Sequence, residues 1–374
     1  MKVVICWPQI AGYSAACFRE LASRDGVELA ILAFKSGQAG QNAAFADDVM
    51  RGLNCRLLTL DEKFKDDLIA EYVTGQRPDI IVLPGWGHPP YVRLATHPQL
   101  RDKRFVMCMD TPRKDNLRQR LARLKVGRFI DRMDRVVVPG ERSWQYARLL
   151  RVPEQKLRRG LYGIDYALLR PLWQKRAEQP GGWPKAFLYM GRYVADKAID
   201  VMLEAYGLYR KSGEDPWPLS CCGKGPEAAR IKSAEGVIDR GFVQPADQPE
   251  LLLHHGVLVL ASRYEPWGLV IVEACAAGLP VLCTEACSAA IETVRPMYNG
   301  LVVATDDAEA FAAGMISMHR QHGFLKEMGR RGQCFAEPYG KIFWADRWHA
   351  MFAELLGEPV RGAVSRADAG DGVK

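Results

Sequence analysis

Long apolar runs are missing from this 374-residue chain: none reaches the roughly 18 residues needed to cross a bilayer. The first strand-like run, Val3–Trp7, is far too short for a secretory-signal core and is followed by Pro8. A cytoplasmic protein is therefore expected. Close cysteine pairs are missing as well. There are ten cysteines but no C-x-x-C; Cys221 and Cys222 are adjacent, and Cys283 and Cys287 are four apart. Cys6, Cys108, Cys275 and Cys283 sit in apolar runs, where a reduced thiol acts as a small hydrophobe. These spacings argue against a zinc site or a disulfide framework. No repeat of solenoid length occurs.

Composition then narrows the class. Hydrophobic residues make up 48% and charged residues 25%, which is globular, and the length suits two domains rather than one. Acidic residues are scarce in one place. Between Arg101 and Arg135 twelve Lys/Arg stand against five Asp, a surplus equal to the whole formal charge of +7. Such a patch suits an anionic partner, namely a phospholipid surface, a diphosphate-linked acceptor or nucleic acid; a solvated helix face fits it equally. Nucleic acid is not expected, because the patch lacks interleaved aromatics and any nucleic-acid-binding module.

The first half alternates apolar runs (Lys2–Trp7, Glu28–Phe34, Asp79–Leu83, Arg104–Met109, Arg135–Val138) with amphipathic stretches such as Phe64–Tyr72. Strands alternating with helices predict parallel β-α-β units. The pattern restarts with Phe187–Met190, Leu219–Cys222, Val257–Ala261 and Pro280–Cys283. Between the two series, Gln174–Pro184 is polar and rich in Gly and Pro, and reads as a linker. An α/β protein of two Rossmann-like domains is expected, residues 1–170 and 171–335, facing each other across a cleft. Tyr339–Leu356 is a long amphipathic pattern, with Phe343, Trp344, Trp348, Phe352 and Leu355 near one stripe, and residues 336–357 are expected as a helix. The tail, 358–374, has almost no apolar content and is expected to be disordered.

Chemistry concentrates after the strands of the second series. Gly191-Arg192 follow one of them, and Lys197 lies five residues on, near a helix start. A guanidinium and an ammonium at a helix N-terminus suit a diphosphate. Gly223-Lys224-Gly225-Pro226-Glu227 follows the next; it lacks the third glycine of a dinucleotide fingerprint, which argues against NAD. Ser262–Gly268 follows a third, and Gly268 opens a helical run, Leu269–Ala277, whose first N–H groups would face an anion. Glu265 precedes that helix and Glu273 lies eight positions further on. Carboxylates accept hydrogen bonds from sugar or ribose hydroxyls. Each motif alone also fits a structural role: a surface turn, a flexible loop or a buried ion pair.

In this order, "G-R-x-x-x-x-K" from Gly191, "G-x-G-P-E" from Gly223 and the run from Ser262 through Glu265, Pro266, Gly268, Leu269, Glu273 and Gly278 to Pro280 resemble the retaining glycosyltransferases of family 4, which have the GT-B fold. Gly163-Ile164-Asp165 with Pro171, and Glu292 with Asn299-Gly300, resemble further elements of the same family. The resemblance implies that the carboxy-terminal helix crosses back to the first domain. It implies that Arg192 and Lys197 neutralise the leaving diphosphate. Glu273 would hold the ribose; Glu265 and the backbone around Trp267-Gly268 would hold the donor sugar, and Gly241-Phe242-Val243 would lie near the base. The implied reaction is retaining transfer from a nucleoside-diphosphate sugar to a saccharide or lipid-linked acceptor, by attack on the face of departure. Arg192 and Lys197 would act without a metal, consistent with the lack of any D-x-D triplet, and no cofactor beyond the donor substrate is expected. The competing readings are a nucleotide-sugar epimerase of the same fold and a non-catalytic nucleotide-sugar-binding partner.

The amino-terminal half departs from the family pattern. Its loop after the first strand has one glycine, Gly12, where the family often has two. Where many relatives carry a His, this chain has Asp110. Asp110 and His88 are the candidates for orienting a hydroxyl or accepting the acceptor's proton, against simple turn-capping roles. Leu117, Leu121 and Leu124 recur at i, i+4 and i+7 within a cationic run, 113–125, which suits either the core or an anionic membrane surface. Peripheral attachment to the inner membrane face is the corresponding expectation.

Overall fold

A computed structural model describes residues 1–35, 47–114, 116–213 and 215–358. Among them thirteen strands form two wholly parallel sheets. The first comprises β1 (Lys2–Trp7), β2 (Glu28–Phe34), β3 (Cys55–Leu58), β4 (Ile80–Leu83), β5 (Arg104–Cys108), β6 (Arg135–Val138) and β7 (Leu157–Arg159), in the order β3-β2-β1-β4-β5-β6-β7. The second comprises β8 (Phe187–Met190), β9 (Leu219–Cys222), β10 (Val237–Gly241), β11 (Val257–Leu260), β12 (Val281–Thr284) and β13 (Gly300–Val303), in the order β10-β9-β8-β11-β12-β13. Inner strands such as β4 and β11 are buried at every residue, which is why they read as unbroken apolar runs. In each sheet the strand order reverses beside the first strand, between β1 and β4 and between β8 and β11. Such sheets bind ligands at that reversal, beyond the carboxyl ends of the strands.

The chain leaves the first sheet after β7, and the helix Lys341–Leu356 brings it back. Trp344, Trp348, Met351, Phe352 and Leu355 are buried at helical spacing. Trp344 Nε1 donates to the Leu161 carbonyl and Trp348 Nε1 to the Gly160 carbonyl, each at 3.0 Å. The Glu354 carboxylate takes Arg135 at 2.8 Å and Arg158 at 2.9 Å. Phe343 is not on this stripe; at 49% exposure it faces away from it. No helix of the described residues is long and apolar enough to cross a membrane. Residues 359–374 of the expected disordered tail lie outside the described residues.

The stretch Gln174–Pro184 lies between the two sheets, as a linker would, but its first residues are helical and not all solvated. Pro171–Ala177 is helical, and its Arg176 is fully buried against the second domain. The guanidinium donates to the carbonyls of Leu252 (2.6 Å), Ala277 (2.8 Å) and Gly278 (3.1 Å) and lies over the Trp183 ring. These three bonds to carbonyl oxygens offset much of the cost of burying the guanidinium, whose Nε has no partner among the described residues. All ten cysteines are free thiols.

Candidate functional site

A cavity of about 540 Å³ opens where the two sheets present their strand ends. Gly12 and Tyr13 follow β1; Gly191, Arg192 and Val194 follow β8; Gly223, Lys224, Gly225 and Pro226 follow β9; Phe242, Val243 and Pro245 follow β10. Val270 and Glu273 reach it from the helix Leu269–Ala276. The fold thus gathers Gly12, Gly191, Arg192, Gly223, Gly225, Phe242, Val243 and Glu273 around one space. Lys197, Glu265, Trp267, Gly268, Leu269, Asp110 and His88 do not line it.

The glycine loops are needed for their own packing. A methyl group at Gly223 would come within 1.9 Å of the Gly191 carbonyl oxygen, and one at Gly225 within 2.2 Å of the Tyr193 oxygen. The loops after β8 and β9 instead bond backbone to backbone, Gly191 N–H to the Cys222 carbonyl at 3.0 Å and Tyr193 N–H to the Lys224 carbonyl at 2.9 Å. Gly268 caps the helix Leu269–Ala276 at φ +91°, a left-handed conformation that glycine adopts without strain.

Charge is distributed differently from the expectation. Arg192 is exposed at the cavity wall, its carbonyl held by the Tyr189 hydroxyl at 2.8 Å. Lys197 is not a free ammonium. It is paired with Glu265, their side chains only 9% and 13% exposed, so each neutralises the other beside the loop Ser262–Gly268. Glu273 is held by Gln248 Nε2 at 2.8 Å, and burial pushes its carboxyl up to about 7.

Trp267 and Leu269 act through packing. The Trp267 ring is buried, close against Gly140 of the first domain and 5.8 Å from Tyr339, and Leu269 packs on the second core. His88 is drawn into an aromatic cluster, its ring 4.7 Å from Phe34 and from Tyr91, where burial lowers its pKa. Asp110, at the end of β5, accepts the Tyr162 hydroxyl at 2.8 Å. Burial, and after it the charge of Asp110, raises the pKa of Tyr264 on the opposite domain. Tyr13, Lys224, Pro245, Gln248 and Val270 line the cavity without having been expected there. Lys224 stood inside a recognised glycine loop; Gln248 and Val270 carried no signal, since only the fold turns them inward.

Residues 174–334 match the family model described as "Glycosyl transferases group 1". Through this segment the chain is similar to the group 1 glycosyl transferases. An exopolysaccharide phosphotransferase of Streptomyces coelicolor is 24% identical over 193 residues, 49% of this chain and 20% of its own length. The D-rhamnosyltransferase WbpZ of Pseudomonas aeruginosa is 26% identical over 262 residues, 64% of this chain and 66% of its own. The chain therefore spans a fifth of the first relative and just under two thirds of the second. HepE of Anabaena, solved in complex with UDP, superposes with a TM-score of 0.70 at 17% identity, covering 96% of this chain and all of that one. The chain thus has the GT-B arrangement of two Rossmann-like domains.

Proposed function

We propose that the chain transfers a sugar, with retention, from a nucleoside-diphosphate sugar to a saccharide or lipid-linked acceptor, without a metal. The observation that carries this reading is the single cavity joining Arg192, both glycine loops and Glu273 at the facing strand ends. Arg192 stabilises the charge of the departing diphosphate, and Glu273 accepts the ribose hydroxyls. Glu265, released from Lys197 by donor sugar hydroxyls, frees the ammonium for the same phosphate. Asp110 faces the acceptor hydroxyl. The HepE structures, solved in complex with UDP and with UDP-glucose, support a nucleotide-sugar donor. A thermal-shift screen of nucleoside diphosphates and their sugar conjugates tests the donor site, because a ligand of the native state raises the melting temperature. The anomeric configuration of the product then tests retention; an inverted product sinks it.

Glu273 makes binding pH-dependent. Burial raises its carboxyl to about 7, so the folded free enzyme holds a proton that the unfolded chain would release. This favours the fold at acidic pH and is lost as pH rises through about 7. Ribose hydroxyls donate best to the ionised form. Nucleoside diphosphate affinity is therefore expected to rise between pH 6 and about 8, and Glu273→Gln to flatten that rise while raising the melting temperature at the alkaline end. Calorimetric titration at both pH values checks this; a rise that persists in the variant assigns it elsewhere.

The lipid-linked alternative draws support from the helix Leu117–Arg132. Leu117, Leu121 and Leu124 are 69%, 52% and 85% exposed, so they do not serve the core. Apolar residues among cations suit an anionic bilayer face, consistent with a cytoplasmic protein held peripherally at the membrane. Salt-sensitive flotation with anionic liposomes is expected, and replacing the three leucines with serine is expected to abolish it. Flotation indifferent to the leucines would remove the membrane from this reading.

A further inference from the structure

The loop after Asp110 holds a cation to which the reading above gives no task. Its backbone is braced. Gln119, 7% exposed, donates through Nε2 to the Pro112 carbonyl at 2.9 Å and accepts the Lys114 N–H. The Arg113 N–H donates to the Arg142 carbonyl at 2.9 Å. Asn116 caps the helix Leu117–Arg132 by accepting the Gln119 N–H at 2.9 Å. The brace carries the Lys114 side chain across the cleft, where Nζ lies 3.5 Å from the ring centre of Tyr264. Tyr264 adjoins Glu265, and the charge of Asp110 reaches it.

Lys114 is exposed, and no carboxylate among the described residues pairs with it. An ammonium resting on an aromatic face is held in place but keeps its charge for a ligand. Arg118 follows on the first turn of the helix Leu117–Arg132, and the helix Glu141–Leu149 abuts the loop through the backbone bond from Arg113 to Arg142. The positive end of the Leu117–Arg132 helix adds to the same field. A neutral saccharide would leave this charge unused.

We propose that this loop is a phosphate subsite of the acceptor. The acceptor carries a phosphate group, which Lys114 holds, while the hydroxyl to be glycosylated faces Asp110. The proposal rests on the donor reading above, and it names the acceptor's chemistry rather than the donor's. The same phosphate chemistry is offered by a soluble sugar or polyol phosphate and by a lipid headgroup, and the test separates them.

The experiment uses the full chain with its donor cavity saturated by UDP, so that Arg192 is occupied. Glycerol 1-phosphate is titrated calorimetrically, and vesicles containing phosphatidylglycerol are tested by cosedimentation. Lys114→Gln is expected to weaken phosphate binding by about tenfold or more, as loss of a charge-assisted contact should, with Lys114→Arg retaining it and UDP affinity unchanged in both. Weakening toward glycerol 1-phosphate points to a soluble acceptor, and weakening confined to vesicles points to a lipid headgroup; either supports the subsite. Equal binding by wild type and Lys114→Gln to both probes overturns it. Loss of UDP binding in Lys114→Gln also overturns it, by placing Lys114 on the donor. If no nucleoside diphosphate binds the wild type, the donor reading fails instead, so the two failures are distinct.

Discussion

Arg192→Ala is expected to lower kcat by about a hundredfold to a thousandfold, the range seen when one preorganised donor to developing negative charge is removed. Arg192 is exposed at the cavity wall and forms no ion pair among the described residues, so the melting temperature should stay within about 1 °C. Arg192→Lys keeps the charge but loses the planar fork, and should recover only part of the rate. The same assay tests the metal: wild-type turnover should be unchanged in EDTA. Near-normal turnover by Arg192→Ala, with an unchanged melt, would take Arg192 out of the chemistry. Complete loss in EDTA, restored by Mg²⁺ or Mn²⁺, would end the metal-free reading.

Arg176→Met is expected to have the largest effect on stability. The side chain is fully buried and meets three carbonyl oxygens, those of Leu252, Ala277 and Gly278. Burial lowers its pKa to about 9, so it is still protonated at neutral pH. Methionine fills much of the volume but leaves those oxygens unmet, at about 1–3 kcal/mol for each buried group. A loss of about 4 kcal/mol is expected, at the diagnostic end of point-mutant effects. Because the site lies away from the cavity, kcat per folded molecule should not change. A melt within about 1 °C of wild type would show that the carbonyls find other partners.

The nine expected strands are found, with ends shifted by a residue in places. The four that periodicity did not reveal, β3, β7, β10 and β13, are the four sheet edges. An inner parallel strand is covered on both faces and reads as an apolar run; an edge strand such as Val-Ile-Asp-Arg-Gly is partly exposed and loses that signal. Within the linker Gln174–Pro184 the burial of one residue was hidden for a related reason. Arg176 looks like a solvated charge until three carbonyls from distant segments surround it.

The sequence by itself determined the two-domain α/β plan and the glycine loops with Arg192, because strand periodicity and turn chemistry are local. It also marked Glu273, which motif order placed on the donor side. Only the tertiary structure decided which side chains share the cavity. It paired Lys197 with Glu265, drew His88 into an aromatic cluster, and left the leucines of the helix Leu117–Arg132 in solvent. It also laid Lys114 against Tyr264 across the cleft, 150 positions away in sequence. Contacts of that separation depend on how two sheets face each other, and no local pattern encodes that.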